Sequence, residues 1–404
     1  MSEDMKRTLE ITAPDKKRHK DAIYDLFGKA FGGYWSMVDY CRRSYFEHSH
    51  YDWRTSRIGL IGGKLVTHFG VWDLAMRIGR SNVRCAGVGA VMTDGGHRMQ
   101  GYMAETAHAC LEAMGQAGYD MSLLFGRNDL YHKYGYVRAW ARTTYTVEAR
   151  EFPALGPAGR LIRFVPGGHD ELDRLYNREY AGYTCTAVRP TYQRCPRPDR
   201  WRGYLWTDPK HRPAGYVIAQ ADKGELMLVE NAGELESVLV AIGILARRWS
   251  CQKVRFDSAP YGHPLARWAR RGDCQAEARY VRSGGAMIRN VNLRSTLDKI
   301  SGELSGRLSG SHLAGWRGSL LVSDPWQKAV LAIGRSTVRV ADSSAGRPTA
   351  AIRGGAEIAQ LIIGTDNPGE IIDSARTRLA GDAAALIEVL FPAQHPVLGA
   401  WDFF

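Results

Sequence analysis

Apolar and polar residues recur in two different rhythms near the start of the chain, and each rhythm predicts a different element. Over residues 15–27 the apolar side chains return at the spacing of one helix face, which predicts an amphipathic helix, and a second, aromatic-rich helix is predicted over 31–45. Two strands are predicted next, over Arg57–Ile61 and 64–74. The glycine pair at 62–63 between them tolerates the positive φ of a tight hairpin.

The next predicted unit is a strand, a helix and a second strand. The first strand ends in an apolar, glycine-containing run over residues 87–92, the helix covers about 98–117, and a short apolar strand follows at 121–125. The residues between the first strand and the helix therefore form a turn at the start of the helix. We expect candidate ligand-binding residues in that turn.

Changes of composition divide the chain into three predicted domains. Residues 152–159 are rich in proline, glycine and alanine, which is typical of a linker between compact bodies. A second series of predicted strands and helices, with a helix over about 235–249, runs to about residue 290 and echoes the order of the first. A smaller mixed series follows, and it begins with an amphipathic helix predicted over 293–304. Because 404 residues exceed one domain of ordinary size, we predict domains over 1–150, 151–290 and 291–404.

Composition and charge narrow the class of protein. Hydrophobic residues at 45% and charged residues at 24% are typical of a folded globular protein, and the charged start has no signal-peptide core behind it. A cytoplasmic location is therefore expected, and seven scattered cysteines without a C-x-x-C pair predict reduced packing residues. No membrane span is predicted, and no metal site either, since Glu47-His-Ser-His50 is interpreted as a surface segment. The net charge of +12 favours solubility and an anionic cofactor over nucleic acid, because no basic block accompanies a nucleic-acid-binding signature.

The turn between residues 93 and 102 is the first candidate site. A helix start offers unpaired backbone N–H groups and the positive end of the helix dipole, which together bind a pyrophosphate. Gly101 allows close approach of the backbone to such a group, and Arg98 supplies a cationic contact. An ordinary strand-to-helix turn explains the same pattern, because R-x-x-G is short and common.

A second segment, Leu130-Tyr-His-Lys-Tyr-Gly-Tyr136, follows after one helix and one strand. The Arg98-Met-Gln-Gly101 turn and this segment together resemble the acetyl-CoA core of the GNAT superfamily of acetyltransferases, with Met103 where glycine or alanine is commoner. The whole chain resembles the enhanced intracellular survival (Eis) family, whose members also end in aromatic residues. This resemblance implies an α/β (α+β) fold, in which two GNAT-like mixed-sheet domains in tandem are followed by a sterol-carrier-protein-like α+β domain.

The resemblance also implies roles for individual residues. Tyr131 would be the general acid for the CoA sulfur and the terminal carboxylate of Phe404 the base, with Asp402 as the fallback for Phe404. The residues expected to contact acetyl-CoA are Val91, Met92, Thr93, Arg98, Met99, Gly101, Tyr102 and Asn128. Those expected to contact the amine acceptor are Phe31, Tyr34, Trp35 and Asp402.

The ordinary pKa of a carboxyl group and the charges of the second domain bear on these roles. A free α-carboxyl has a pKa of about 3.3 to 3.7, so Phe404 acts as a base only if burial raises that value, or if it orients the ammonium and relays its proton through water. In the second domain Glu234 and Glu236 stand where another phosphate loop would lie, and their charges repel a pyrophosphate. We therefore expect one acetyl-CoA site per chain.

The predicted function is acetyl-CoA-dependent N-acetylation of a primary amine, on a small molecule or a lysine, by direct transfer in a ternary complex. Two alternatives stay open: an acyltransferase with another acyl donor or with an anionic or nucleic-acid-linked acceptor, and a non-catalytic protein that binds an apolar ligand. In the non-catalytic alternative Tyr131 packs in its helix and Phe404 is a docked, chemically silent tail. The family resemblance further implies a homohexamer.

Overall fold

Three mixed β-sheets, each covered by helices, form the protein. The computed structural model describes residues 8–31, 50–153, 155–156, 160–167, 169–190, 201–257, 259–342, 347–374 and 377–404. The strands in these ranges are β1 Glu10–Thr12, β2 Arg57–Ile61, β3 Lys64–Ile78, β4 Ser81–Thr93, β5 Met121–Gly126, β6 Val137–Trp140, β7 Arg142–Glu148, β8 Ile162–Phe164, β9 Arg202–Thr207, β10 Pro213–Asp222, β11 Glu225–Ala232, β12 Lys253–Asp257, β13 Gln275–Arg279, β14 Gly285–Asn290, β15 Gly318–Ser323, β16 Lys328–Ile333, β17 Val338–Val340, β18 Ala350–Arg353 and β19 Arg378–Ala380. The helices are α1 Lys16–Phe31, α2 Tyr102–Gln116, α3 Asn128–Tyr131, α4 Asp170–Glu179, α5 Leu235–Arg248, α6 Pro264–Arg271, α7 Leu293–Lys299, α8 Ser301–Ser309, α9 Ile358–Ile363, α10 Pro368–Ser374 and α11 Ala383–Leu390.

The first sheet has the order β1-β2-β3-β4-β5-β14-β6 and is buried on both faces. On one face α1 contributes Ile23 and Phe27, which pack with Trp72 of β3. On the other face α2 contributes Cys110, which packs with Val71 of β3. The long strand β3 is therefore buried on both sides, without interruption from Leu65 to Trp72.

The second sheet has the order β13-β7-β12-β11-β10-β9-β8, and it also lies between helices. The apolar helix α5 covers one face, where Val238 and Ile242 join the core with Leu226 of β11. The short helix α4 covers the other face, where Leu172 packs with Tyr216 of β10. This layering repeats that of the first sheet, which agrees with the expected mixed α/β fold.

The chain passes from the first sheet to the second between β6 and β7, and it returns to the first between β13 and β14. Strand β7, at Arg142–Glu148, already pairs with β12 and β13 of the second sheet. Strand β14, at Gly285–Asn290, returns to the first sheet and pairs with both β5 and β6. The first and second sheets therefore exchange strands.

The last part of the chain is a smaller α+β unit. Its five-stranded sheet has the order β17-β16-β15-β18-β19, and helices α7 to α11 accompany it in sequence. Apolar residues of this unit, such as Leu320 and Leu386, belong to the same core cluster as Trp72 of the first sheet. Among the described residues, no helix is both long and apolar enough to cross a membrane.

Two predicted helices differ from the observed ones for reasons of backbone geometry. The helix predicted from residue 98 begins at Tyr102, because Met99 at φ 63° and Gly101 at φ 87° have left-handed backbones that an α-helix excludes. The helix predicted over 293–304 is divided into α7 and α8 at Ile300, whose ψ of 4° lies outside the helical range.

Candidate active site

The candidate site lies where two parallel strands of the first sheet separate. Residues Cys85 to Val88 of β4 pair with Met121 to Leu124 of β5, and then β4 continues to Thr93. Beyond Val88, no pairing with β5 is found in the described part of the chain, and β5 pairs along its other edge with β14. The two strands are therefore unpaired beyond this point, and the region between their carboxyl ends is called the opening.

A β-bulge in β4 borders this opening. His68 of β3 is opposite Met92 and Gly70 is opposite Gly89, so that Ala90 and Val91 together face a single residue of β3. Ala90 has φ 47°, a left-handed conformation that is uncommon for a residue with a side chain. Such bulges redirect backbone groups beside active sites.

A buried histidine that the sequence analysis did not single out holds the bulge. The Nδ1 atom of His68 is 2.7 Å from the carbonyl oxygen of Ala90, and its Nε2 atom is 2.7 Å from the Tyr51 hydroxyl. Burial lowers the pKa of His68 to about 4, so the ring is neutral at physiological pH. Since a carbonyl oxygen only accepts, Nδ1 carries the proton and Nε2 accepts from Tyr51. A single histidine inside the apolar run of β3 was the available signal.

The chain's own C-terminus reaches the opening. A Cβ atom placed on Gly87 would lie 2.8 Å from the ring of Phe404, and one on Gly89 would lie 3.4 Å from the terminal carboxyl carbon. The ring of Phe404 is 5.8 Å from that of Phe125 at the end of β5, and the ring of Phe403 is 4.4 Å from Phe125. The terminal carboxyl group therefore lies against β4 next to the bulge.

Tyr131 lies on the opposite face of β5. A Cβ atom on Gly126 would overlap its ring, and Tyr131 belongs to the core cluster that contains Val88 and Leu124, whereas Phe404 packs on the cluster of the α1 face. Burial raises the pKa of Tyr131 to about 12, with a smaller contribution from Tyr134. The hydroxyl stays protonated at neutral pH, and it has no hydrogen-bond partner among the described residues. It can donate to a group placed in the opening.

The predicted phosphate turn is an exposed loop of eight residues, 94–101. Asp94 accepts hydrogen bonds from the backbone of Gly96 at 3.2 Å and from Nδ1 of His97 at 2.9 Å, which fixes the start of the loop. Arg98 and Met99 are exposed. Gly101 is the N-cap of α2 and contributes no side-chain cap, so the N–H groups of Tyr102 and Met103 are open to an anion, whereas that of Ala104 donates to the Gly101 carbonyl at 2.8 Å.

Asn128 supplies a further polar atom at the end of β5. Its backbone N–H donates to the carbonyl of Arg282 at 3.0 Å, which fixes the first residue of α3. Its Oδ1 atom is buried, and no described residue hydrogen-bonds to it. A buried acceptor without a hydrogen-bond partner is unfavourable unless a ligand or a water molecule donates to it. This atom can therefore accept a hydrogen bond from an amide N–H of a bound ligand.

The predicted acceptor residues are only partly described. Phe31 ends α1 with 44% of its surface exposed and packs on Phe27 with ring centroids 4.7 Å apart. Tyr34 and Trp35 lie outside the described residues. Asp402 is fully buried and forms an ion pair with Arg189 at 3.0 Å, so its carboxylate has a strong partner away from the terminal carboxyl group.

The second sheet repeats the strand geometry but not the loop. Its strands β11 and β12 pair in parallel only over Glu225 to Leu228, and a register shift at Val229 forms a bulge. From the end of β11 to the start of α5, however, the chain has only Gly233 and Glu234, compared with residues 94–101 in the first sheet. A loop of two residues offers no comparable cradle for a pyrophosphate.

Comparisons with known proteins agree with this geometry. Residues 14–139 match the family described as an acetyltransferase (GNAT) domain. The chain carries a GNAT acetyltransferase domain. No curated protein matches the sequence.

Solved structures share the fold of this chain along nearly its whole length. A GCN5-related N-acetyltransferase from Kribbella flavida has a TM-score of 0.76 and 18% identity, covering 100% of both chains. A conserved protein of unknown function from Enterococcus faecalis V583, described as a probable N-acyltransferase, has a TM-score of 0.74 and 17% identity, covering 98% of this chain and 100% of its own. Eis1 from Mycobacterium abscessus has a TM-score of 0.67 and 15% identity, covering 97% of this chain and 100% of its own.

Proposed function

We propose that this GNAT protein transfers an acetyl group from acetyl-CoA to a primary amine, on a small molecule or a lysine, within a ternary complex. The observation that carries the proposal is the carboxyl terminus of the chain, which lies against Gly89 beside the β4 bulge, on the face opposite Tyr131. A proton acceptor and a proton donor thus flank one opening, as acyl transfer to an amine requires.

The donor would lie in the opening with its pyrophosphate at the 94–101 loop. The open N–H groups at the start of α2 and the positive end of the helix dipole favour the phosphates, and exposed Arg98 adds a cation. Tyr102 begins that helix, and Met99 belongs to the loop. The partnerless Oδ1 of Asn128 would accept a hydrogen bond from an amide of the pantetheine arm.

The reaction would proceed by direct attack of the neutral amine on the thioester carbonyl. The new C–N bond forms first and gives a tetrahedral oxyanion, which the backbone N–H groups of Val91, Met92 and Thr93 are the candidates to stabilise. The C–S bond then breaks as the carbonyl re-forms, and the thiolate of CoA leaves. The Phe404 carboxylate takes the amine proton, directly or through water, and the Tyr131 hydroxyl donates to the departing sulfur.

The same proposal extends to the rest of the molecule. We assign the chain to the Eis type, with a sterol-carrier-like C-terminal unit, because the fold similarity to Eis1 covers nearly the full length and the tail ends in the opening. The second sheet has only two residues between β11 and α5 where the first has the 94–101 loop, which supports one acetyl-CoA per chain. A homohexamer in the cytoplasm stays a prediction.

Tyr131→Phe is expected to lower kcat by about 100-fold, because it removes the hydroxyl that donates to sulfur and preserves the ring that packs on Gly126. Release of free CoA thiol from acetyl-CoA, measured with a panel of amines, tests this. The dissociation constant for acetyl-CoA should stay within about twofold of the native value, since the packing is conserved. If the native protein binds no acetyl-CoA, the proposed function is wrong. An unchanged kcat would remove Tyr131 alone from the mechanism.

Gly101→Val is expected to weaken acetyl-CoA binding by about tenfold or more, because a β-branched residue does not adopt φ 87° and the loop must move. Gly95→Ala is the matched control, since a Cβ there meets no atom within 4 Å and needs no left-handed backbone. Titration calorimetry with acetyl-CoA distinguishes the two variants. Equal affinities would mean that the loop does not hold the pyrophosphate.

A further inference from the structure

A buried ion-pair network connects the C-terminal tail to the second sheet. The guanidinium of Arg189 binds both carboxylate oxygens of Glu230, at 2.7 and 2.5 Å, and both of Asp402, at 3.3 and 3.0 Å. It also lies 3.5 Å from the ring centroid of Tyr176. All three charged side chains are at most 5% exposed.

Burying these three charged groups costs desolvation free energy, which their mutual attraction must offset. Two carboxylates share one guanidinium out of water, and the hydroxyl of Tyr216 donates to Glu230 at 2.6 Å. Burial by itself lowers the pKa of Arg189, but Asp402 and Glu230 beside it raise the pKa well above its ordinary value. Buried ion pairs add little net stability, yet removing one partner is costly, so they determine which groups meet rather than how tightly the protein folds.

One member of the network, Asp402, lies two residues before Phe404. The side chain of Trp401 is buried with Leu172 and Ile218 in the core under α4, and its ring is 5.7 Å from that of Trp201. Directly after Asp402, the aromatic rings of Phe403 and Phe404 pack at the end of β5 in the first sheet. The last four residues therefore connect the second sheet to the opening in the first.

The tail crosses the second sheet at the counterpart of the active-site opening. Glu230 follows the Val229 bulge of β11, and this bulge corresponds to the one at Ala90 and Val91 of β4. The face of β11 that carries Glu230 is covered by α4, as the matching face of β4 is covered by α1. The same chain segment thus reaches both bulges: Asp402 is linked through Arg189 to Glu230 beside the second bulge, and Phe404 lies against Gly89 beside the first.

We infer that the second sheet's bulge is an anchoring site for the C-terminal tail, and that Arg189 and Asp402 are positioning residues that hold the Phe404 carboxylate at the opening of the first sheet. The anchoring stands on geometry alone, whereas its effect on catalysis rests on the proposed function. The second GNAT-like sheet would then serve the reaction without binding a donor: it locates a group that acts in its neighbour.

Asp402→Asn tests the inference while preserving side-chain size and the Arg189–Glu230 pair. We measure the release of Phe404 by a carboxypeptidase that prefers aromatic termini, together with kcat and the KM for acetyl-CoA. The variant should lose Phe404 at least about tenfold faster than the native protein, because the tail detaches more often without its charged partner. Its kcat should fall about tenfold or more, with the KM for acetyl-CoA unchanged.

Asp120→Asn is the matched control. Asp120 is also fully buried and ion-paired, with Lys299 at 2.6 Å, but it lies at the other end of β5 from Phe125. It should lower the melting temperature without exposing Phe404 to the protease. Should Asp402→Asn not fold, Arg189→Lys, which keeps the positive charge, takes its place with the same expected release of Phe404.

The possible results separate this inference from the proposed function. Equal protease resistance of the native protein and the tail variant overturns the anchoring site, whatever the activity. Equal exposure of the tail in the Asp120 control overturns it as well, because general destabilisation then explains the result. Rapid release of Phe404 with full activity confirms the anchor and contradicts the role of the terminal carboxylate in catalysis.

Discussion

One glycine added after Phe404 is expected to lower kcat by about 100-fold or more, the usual contribution of a general base. The extension converts the carboxyl group beside Gly89 into a neutral peptide and moves the new carboxylate by about one residue length, roughly 3.8 Å. There is little room for rearrangement, since a methyl group on Gly87 would already lie 2.8 Å from the Phe404 ring. Thiol release at saturating acetyl-CoA and amine measures the effect.

The control for this extension is the same glycine added at the amino terminus, which leaves the tail intact. Calorimetric affinity for acetyl-CoA should be equal in both extended proteins, because the phosphate loop is untouched. An extended tail with the native kcat would show that the terminal carboxylate is not the base. Loss of acetyl-CoA binding in the tail variant alone would show that the extension blocks the donor instead.

Acidification is expected to destabilise the protein through His68. The folded-state pKa of about 4 lies below the unfolded value of about 6.5, so between these values the unfolded chain binds a proton that the folded protein does not. The free energy of unfolding therefore falls as the pH falls from 6.5 to 4. One proton contributes at most about 1.4 kcal/mol per pH unit, or roughly 3 kcal/mol in total.

His68→Gln isolates this contribution, since other groups titrate in the same range. Denaturant unfolding at several pH values between 4 and 7 should show a steeper loss of stability in the native protein than in the variant. At pH 7 the variant should be less stable by about 1 to 3 kcal/mol, because the Tyr51 hydroxyl and the Ala90 carbonyl lose well-placed partners. His108→Gln, at an exposed position of α2, should keep the native pH dependence. Parallel pH profiles for native and His68 proteins would contradict the prediction.

A second effect of the His68 substitution is expected on the rate. The carbonyl of Ala90 and the N–H of Val91 belong to one peptide group, so the hydrogen bond from His68 both orients and polarises a candidate oxyanion donor. This places His68 among the positioning residues of the proposed reaction. The sequence alone did not identify His68, because a histidine in an apolar strand is more often a core residue than a functional one.

Hydrophobic periodicity and glycine positions predicted those strands, helices and turns that depend on residues close together in the chain. The hairpin at Gly62, the strand–helix–strand unit up to Phe125 and the helix α5 all agree with periodicity and glycine positions in the sequence. The sequence pattern did not predict that β7 and β14 are exchanged between the sheets, because pairing between strands so far apart in the chain depends on the complete fold. The partner of Asp402 was invisible for the same reason, since Arg189 lies more than 200 residues away.

The exchanged strands also affect how a newly made chain can mature. Strand β14 lies between β5 and β6, so the first sheet stays incomplete until the ribosome has released residue 290. A nascent chain can therefore pair β2 to β5 early, but the β5 edge of the opening gains its second neighbouring strand only after β14 has been made.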